Sequence, residues 1–262
     1  MSARRRPVAL VRGAAGVIGC ALLWEVFARS GYFPQALTPT LVEIAGALWR
    51  SLADGTMLKH AAYTLGRIAL GLSLACAVAI PLGMLMARVR AVERFFMPLI
   101  SVLMPIPSLA WVPLFILWFG IGDTSTILVV VYAASFPMLY NVWGGVRAVN
   151  PLWVRVGKTL GADRRAVFTR IIWPAAIPYV ITGLRLSFGR AWIAVVGGEL
   201  LASPTWGLGK LIFDAKEFLN AEVMLAALVV IAAFGLFFER VVFQRLERRT
   251  VVRWGMAAGS DK

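Results

Sequence analysis

Charged residues are scarce in this sequence of 262 residues, because Asp, Glu, Lys and Arg together make up only 15%, against about a quarter in ordinary soluble domains. Hydrophobic residues account for 60%. So little charge excludes a water-soluble protein. The apolar residues are enough for about five to seven membrane helices of about 20 residues each, and no separate soluble catalytic domain fits beside them.

Ligands for transition metals are also few, since the chain has one histidine, His60, and two cysteines, Cys20 and Cys76. The sequence therefore predicts no metal site, no bound cofactor and no disulfide. It also lacks the phosphate-binding pattern G-x-x-x-x-G-K-[ST], because Gly207-Leu208-Gly209-Lys210 has neither the earlier glycine nor the Ser or Thr. No nucleophile and base stand out as a pair. We therefore predict that this chain is not an enzyme.

Uninterrupted apolar runs mark the membrane spans. Three runs are free of charge over twenty residues or more and a fourth over sixteen, whereas two further candidates contain a few charged residues. A signal peptide is the alternative for the first run, since Arg4–Arg6 precede it. Together the runs predict an all-α membrane protein with about six transmembrane helices: about Val8–Ala28, Ile68–Ala87, Phe95–Gly122, Thr124–Val146, about Ile177–Leu201 and Val223–Phe238.

Basic residues dominate the charge, with 27 Lys and Arg against 13 Asp and Glu, which gives a net charge of +14. With six spans and a cytoplasmic N-terminus, nineteen of the 27 fall on the cytoplasmic side. Only five fall outside: Arg29, Arg50, Lys59, Lys210 and Lys216. Because cytoplasmic loops are enriched in Lys and Arg, this bias predicts that both termini are cytoplasmic. The positive charge is a topology signal, and nucleic acid is not an expected partner.

Prolines interrupt the third span. Pro105 and Pro107 lie near its middle and Trp111 follows them. A proline removes a backbone donor, so this helix is predicted to kink or break near mid-membrane, where broken backbone survives only against protein or a water-filled cavity. The interruption favours a solute pathway, and a packing kink between neighbouring helices is the alternative.

Charged residues inside a span need a partner or a function. Glu25 and Arg67 lie at similar depth below the outer surface, and we predict that they form an ion pair. Arg190 lies about thirteen residues into the fifth span, near the midplane. It belongs either to a structural ion pair or to a path for an anion. The candidate pathway residues are therefore Arg67, Pro105, Pro107, Trp111, Arg190 and Glu199.

Two segments outside the membrane show patterns of their own. Pro39–Leu52 carries apolar residues at helical spacing, with Thr38 as the expected N-cap and Pro39 as the first helical residue. The pattern predicts an amphipathic helix that rests on the outer face of the membrane or on the protein's own spans. The outer loop Ala202–Ala221 is predicted to contact a partner or line a gate, with a solvated loop as the alternative.

The longest cytoplasmic connection, residues 144–176, has clear signals for helix ends. A helix Pro151–Leu160 is predicted, with Gly161 in the left-handed position that follows a helix. Asp163 is expected to cap a second helix that stops at Pro174. Two short helices joined by a glycine elbow form a rigid knob, and rigidity suits the transmission of force across an interface.

Gly161, Ile171 and Pro174 match a known spacing: Glu-Ala-Ala, three residues, Gly, nine residues, Ile, one residue and Leu-Pro. In these residues the chain resembles the cytoplasmic loop of permease subunits of ABC-type importers. Arg155-Val156-Gly157 stands where the pattern has Glu-Ala-Ala, and Trp173 replaces the Leu. The likeness extends from about His60 to Leu246 and is to the nitrate, alkanesulfonate and taurine branch, through Pro105–Leu114, Leu117–Gly122, Leu184-Arg185 and Ala191–Val196.

The resemblance implies the type I ABC importer permease fold, with an N-terminal helix and an outer helix in residues 1–59, a transmembrane domain in 60–246 and a cytoplasmic tail in 247–262. It implies a homodimer in the bacterial inner membrane, two separate ATPase subunits that bind and hydrolyse ATP, and an outer solute-binding protein that delivers a small anion such as a sulfonate, taurine or nitrate. A self-sufficient secondary transporter or channel is the alternative. The residues implied in ATPase coupling are Arg155, Val156, Gly157, Leu160, Gly161, Ala162, Ile171 and Pro174.

Overall fold

The computed structural model describes residues 5–203 and 205–247, and every regular element among them is helical. The predicted all-α architecture is therefore confirmed. Of the predicted tail, residues 248–262 lie outside the described residues. The helices are α1 (Arg5–Arg29), α2 (Leu41–Ala53), α3 (Thr56–Arg88), α4 (Arg90–Leu103), α5 (Val112–Phe119), α6 (Asp123–Arg147), α7 (Pro151–Thr159), α8 (Arg164–Val167), α9 (Trp173–Ala202), α10 (Leu208–Glu217), α11 (Ala221–Phe237) and α12 (Gln244–Glu247).

Four described helices are long and apolar enough to cross a membrane: α3, α6, the run Arg164–Ala202 that contains α9, and the run Ala221–Leu246 that begins with α11. A fifth span combines α4 with a 3₁₀ turn, Ser108–Trp111, and α5, and it is bent by 89°. The first helix, α1, has 25 residues, enough for about 37 Å, and it contains the first predicted span, about Val8–Ala28.

The third span is broken where the prolines predict a break, and it still crosses the membrane. At the cytoplasmic end, Glu93 of α4 pairs with Arg147 at the end of α6. At the outer end, the hydroxyl of Ser125 near the start of α6 donates to the carbonyl of Gly120 just after α5 (2.6 Å). Because α4 and α5 contact opposite ends of the same helix, together they form one crossing.

The centre of the fold is the packing of α6 between α3 and α9. A buried apolar cluster joins the three helices, with Ala134 of α6 and Ala191 of α9 among its members. Gly71 of α3 lies so close to Val130 of α6 that a Cβ added to the glycine would be 2.6 Å from a valine methyl carbon. Small residues at such contacts let helix backbones approach closely, which is the usual source of association between apolar helices.

The outer helix α2 begins two residues later than predicted, and its N-cap is Thr40. The prediction of Thr38 was wrong because Glu43, three residues after Thr40, completes a capping box. The Glu43 carboxylate accepts the Thr40 N–H (2.7 Å), and this bond helps to hold the pKa of Glu43 below its ordinary value. Ile44 belongs to an apolar cluster shared with α3 and α11, so the helix rests on the protein's own spans.

The second cytoplasmic helix does not stop at Pro174, and that prediction was wrong. The chain stays helical from α8 through a π-helical turn, Phe168–Ile172, into α9. Pro174 lies in the first turn of α9, directly after this turn. A wider turn relieves the clash between a proline ring and the carbonyl four residues earlier, so the helix continues.

Candidate functional site

The outer ends of three spans meet at a buried arginine. Arg67 of α3 is only 4% exposed, and its Nη1 lies 2.6 Å from the carboxylate of Glu199 of α9, which is fully buried. Its Nε and Nη2 donate to Asp123, the first residue of α6 (3.0 and 2.6 Å). One guanidinium therefore links α3, α6 and α9. Arg67, Asp123 and Glu199 are called the outer cluster below.

The second carboxylate oxygen of Glu199 accepts hydrogen bonds from Thr64 and from the backbone of the outer loop Ala202–Ala221. It accepts the hydroxyl of Thr64 (2.9 Å) and the backbone N–H of Gly209 (2.9 Å). The same hydroxyl accepts the N–H of Leu208 (2.8 Å). A buried ion pair is stable only when its other polar atoms are also satisfied, and here the loop backbone and Thr64 supply the partners.

Gly207 brings this loop onto the outer cluster. Its φ is +148°, and a Cβ there would lie 2.5 Å from the carboxyl carbon of Glu199 and 2.6 Å from Nη1 of Arg67. Its carbonyl oxygen and its nitrogen lie 2.7 and 3.0 Å from Nδ1 of His60, whose ring contacts Trp206 (centroids 4.9 Å apart). Residues 206–209 therefore pack against α3, which excludes a fully solvated loop.

The predicted ion pair between Glu25 and Arg67 is wrong. Glu25 pairs with Arg29 one turn later (2.7 Å) and accepts the N–H of Leu41 at the start of α2 (2.8 Å). The described part of α1 packs mainly against α2. Similar depth in the membrane does not bring two side chains together, and for that reason the pairing could not be read from the sequence.

A second candidate site is a cavity of 310 Å³ at the break in the third span. Pro105 and Pro107 line it from the break, Tyr132 from α6 and Arg190 from α9. The hydroxyl of Tyr132 donates to the carbonyl of Leu103 at the end of α4 (2.5 Å). The broken backbone therefore borders a cavity, as the proline positions predict.

Arg190 is exposed to this cavity and, among the described residues, has no carboxylate within ion-pair distance. Arg185, five residues earlier on α9, pairs with Glu239 instead. The two arginines therefore lie on different faces of the helix, as their spacing predicts. Trp111 contacts the ring of Tyr132 (5.3 Å between centroids), and its buried Nε1 has no hydrogen-bond partner in the described structure.

The structure thus divides the predicted pathway residues into two groups. Arg67 and Glu199 bind each other in the outer cluster, whereas Pro105, Pro107 and Arg190 line the cavity and Trp111 lies beside it. Asp123, Thr64 and Tyr132 were not singled out from the sequence. Asp123 was the one with a usable signal, because it is a charged residue between two predicted spans.

The cytoplasmic knob has the predicted elbow. Gly161 has φ +81°, and its N–H donates to the carbonyl of Lys158 (3.0 Å), while the N–H of Ala162 donates to that of Gly157 (3.0 Å). These two bonds form a Schellman motif, which ends a helix with a left-handed residue. Asp163 caps α8 through the N–H of Ala166 (2.7 Å).

The predicted coupling residues surround this elbow. A Cβ on Gly157 would lie 2.5 Å from the Cδ1 of Ile171, so α7 packs tightly against the π-helical turn. The helix and its C-cap also expose apolar residues, with Leu160 at 82% and Val156 at 49%. Of the predicted set, Gly157 is buried, Ala162, Ile171 and Pro174 are half-buried, and Arg155, Val156, Leu160 and Gly161 are exposed.

Comparison with known proteins gives consistent matches. Residues 79–252 match the family model described as "Binding-protein-dependent transport system inner membrane component". The chain is 38% identical to the taurine transport system permease protein TauC of Escherichia coli, over 82% of this chain and 77% of that protein. It is 30% identical to the bicarbonate transport system permease protein CmpB of Synechococcus elongatus, over 87% and 85%.

The fold also matches a solved structure. An inward-facing crystal form of the MetNI methionine ABC transporter has a TM-score of 0.65 and 16% sequence identity, and the match covers 76% of this chain and 97% of that chain. The likeness confirms the predicted permease fold.

Proposed function

Because the chain belongs to the family of binding-protein-dependent transport system inner membrane components and is a permease subunit of an ABC importer, we propose that two copies of it form a path for a small anion delivered by an outer binding protein. The relatives favour an ABC permease over a self-sufficient transporter or channel. One observation carries the choice of an anion. Arg190 faces a mid-membrane cavity without a carboxylate partner among the described residues.

The charge of the cavity supports an anionic solute. An arginine without a counter-charge raises the local concentration of anions and disfavours cations. Two relatives are named for taurine, which carries a sulfonate, and for bicarbonate, which is itself an anion. Their common feature is a compact oxyanion. We therefore infer a small sulfonate, carboxylate or inorganic oxyanion as the solute class.

The broken helix lies beside this charge at the cavity wall. Pro105 and Pro107 interrupt the helical hydrogen bonds at the cavity wall, and transporters bind solutes at such discontinuities. Trp111 supports the cavity wall from behind, because its ring packs on that of Tyr132 (5.3 Å between centroids).

The cytoplasmic knob is the proposed contact with two separate ATPase subunits, which bind and hydrolyse the ATP. The exposed apolar side of α7, with Leu160 and Val156, supplies the contact surface. Gly157 packed on Ile171 makes the knob rigid. Movement of the ATPases would then be transmitted to α9, because the helix that follows the elbow is continuous with it.

Replacement of Arg190 tests the anion path. The permease is reconstituted with its ATPase subunits and binding protein in proteoliposomes, and uptake of a labelled sulfonate is measured. Arg190→Gln is expected to assemble normally and to reduce uptake roughly tenfold or more, since one charge-assisted contact is lost. Arg190→Lys is the control, because it keeps the charge and is expected to retain part of the uptake.

Two outcomes would contradict the proposal. Wild-type uptake by Arg190→Gln would remove this residue from the path. Failure of the Gln variant to assemble with the ATPases would assign Arg190 a structural role.

A further inference from the structure

A third cavity lies at the cytoplasmic ends of α4 and α6, away from both candidate sites. Its volume is 490 Å³. The orientation set by the positive residues places it at the inner membrane surface. Its lining combines three arginines and a glutamate with apolar side chains, namely Arg90, Glu93, Arg94, Met97, Pro98 and Arg147.

The charges in this cavity are not balanced. Glu93 pairs with Arg147 across the gap between α4 and α6, and Arg147 also lies over the ring of Trp143 (5.0 Å). Among the described residues, neither Arg90 nor Arg94 has a carboxylate within ion-pair distance. The cavity therefore holds three positive charges and one negative charge.

The spacing of the two unpaired arginines makes this imbalance costly. Arg90 and Arg94 are four residues apart on α4, so their side chains share one face and repel each other. Arg90 is also the first residue of α4, whose N-cap Val89 provides no side-chain acceptor for the first N–H groups. Two guanidinium groups beside uncapped N–H groups are an environment that an anion stabilises.

The cavity also has an apolar side. Met97 and Pro98 line it one turn deeper in the membrane than Arg94. The neighbouring face of α4 exposes Phe95 and Val102 (65% and 70%). An inorganic anion would use only the arginines. A charged headgroup with acyl chains would use the arginines and this apolar face together.

We propose that this cavity binds the phosphate group of an anionic phospholipid of the inner leaflet, with Arg90 and Arg94 as its ligands and the exposed face of α4 as the surface for its acyl chains. The cytoplasmic leaflet is rich in anionic lipid, and basic pockets between spans at this surface suit such headgroups. The bound lipid would fill the gap between the cytoplasmic ends of α4 and α6.

The test uses the complete transporter in neutral detergent micelles. Binding is measured by titration with dioleoyl phosphatidylglycerol, with dioleoyl phosphatidylcholine as the neutral lipid and inorganic phosphate as the free anion. The wild type is expected to bind phosphatidylglycerol in preference to both. Arg90→Gln with Arg94→Gln is expected to weaken that binding roughly twentyfold, since each arginine near an anionic surface contributes to attraction.

A matched control separates the cavity from general positive charge. Arg240 is exposed at the cytoplasmic end of the last span and lies outside the cavity, so Arg240→Gln changes the charge of the same membrane face. It is expected to bind the lipid as the wild type does. An equal loss in the Arg240 variant, or equal binding of inorganic phosphate, would overturn the proposal.

Assembly of the transporter is followed in the same samples by size-exclusion chromatography. If the double variant does not assemble, Arg94→Lys replaces it, because lysine keeps the charge and loses the forked donor geometry. This variant is expected to assemble and to bind the lipid severalfold more weakly. Unchanged lipid binding by Arg94→Lys in that case would overturn the assignment of Arg94 as a ligand.

Discussion

Two arginines inside the membrane-spanning helices have opposite environments. Arg67 is buried and bonded to both Glu199 and Asp123, so each of its three guanidinium nitrogens has an acceptor. Arg190 faces a cavity beside a broken helix and has no carboxylate partner in the described residues. The first charge is neutralised inside the fold, whereas the second remains available to an outside anion.

The presence or absence of a counter-charge indicates the role of a charged residue inside a membrane protein. A paired charge contributes to stability only as long as both partners remain, because removing one leaves the other buried and unpaired. An unpaired charge in a cavity contributes little to stability and can act on a solute. The same substitution at the two arginines should therefore affect different measurements.

The largest effect on stability is expected at the outer cluster. Arg67→Gln leaves Glu199 buried with no cation, and it should destabilise the protein by about 3–5 kcal/mol. Thermal unfolding of the purified permease in detergent measures the change. A wild-type melting temperature in this variant would contradict the role assigned to the pair.

A double variant checks that the cost comes from the orphaned charge. Arg67→Met combined with Glu199→Leu removes both charges, so no buried ion remains without a counter-charge. It should be more stable than Arg67→Gln alone. Equal or greater loss in the double variant would mean that shape, and not charge, dominates at this position.

Gly207→Ala should give the next largest loss of stability. Its new Cβ would lie 2.5 Å from the carboxyl carbon of Glu199, so the loop must move off the outer cluster at a cost of about 1–3 kcal/mol. Gly66→Ala is the control, because a Cβ at Gly66 meets no atom within 4 Å. Similar melting temperatures for the two variants would show that the loop is free to move.

The knob extends the comparison to a region without a buried charge. A Cβ at Gly161 meets no atom within 4 Å, so Gly161→Val acts only through the left-handed backbone, at about 1–2 kcal/mol of local strain. We expect normal membrane insertion but weak ATPase binding or ATP hydrolysis without uptake.

Gly161→Asn is the matched variant for the knob, since asparagine tolerates the left-handed region. It should retain coupling, measured by ATPase co-purification and solute uptake. Wild-type values for the Val variant in both measurements would remove this elbow from the coupling mechanism.

The smallest effect on stability is expected at Arg190. Because no ion pair is broken among the described residues, Arg190→Gln should change the free energy of unfolding by no more than about 0.5 kcal/mol, although uptake falls. Thermal unfolding beside Arg67→Gln measures the contrast directly. A loss of stability in the Arg190 variant as large as that in the Arg67 variant would show that both arginines have a structural role.

Local sequence patterns predicted much of this architecture. The break at Pro105 and Pro107 and the elbow at Gly161 follow from backbone chemistry within a few residues, since proline lacks an N–H and glycine tolerates positive φ. The errors at Thr38 and Pro174 were also local. They arose because a capping box at Thr40 and a wider π turn, respectively, changed where a helix begins and ends.

Hydrophobicity and the placement of Lys and Arg act on each segment separately, so the class of protein and the order of the spans could be read from the sequence, and their orientation could be predicted from it. Which charges meet depends on the packing of the helices. Arg67 could have paired with Glu25 by depth, and it pairs with Glu199 and Asp123 because α3 packs against α6 and α9. An ion pair depends on distances of a few ångströms between segments far apart in the chain, and those distances are set by helix packing.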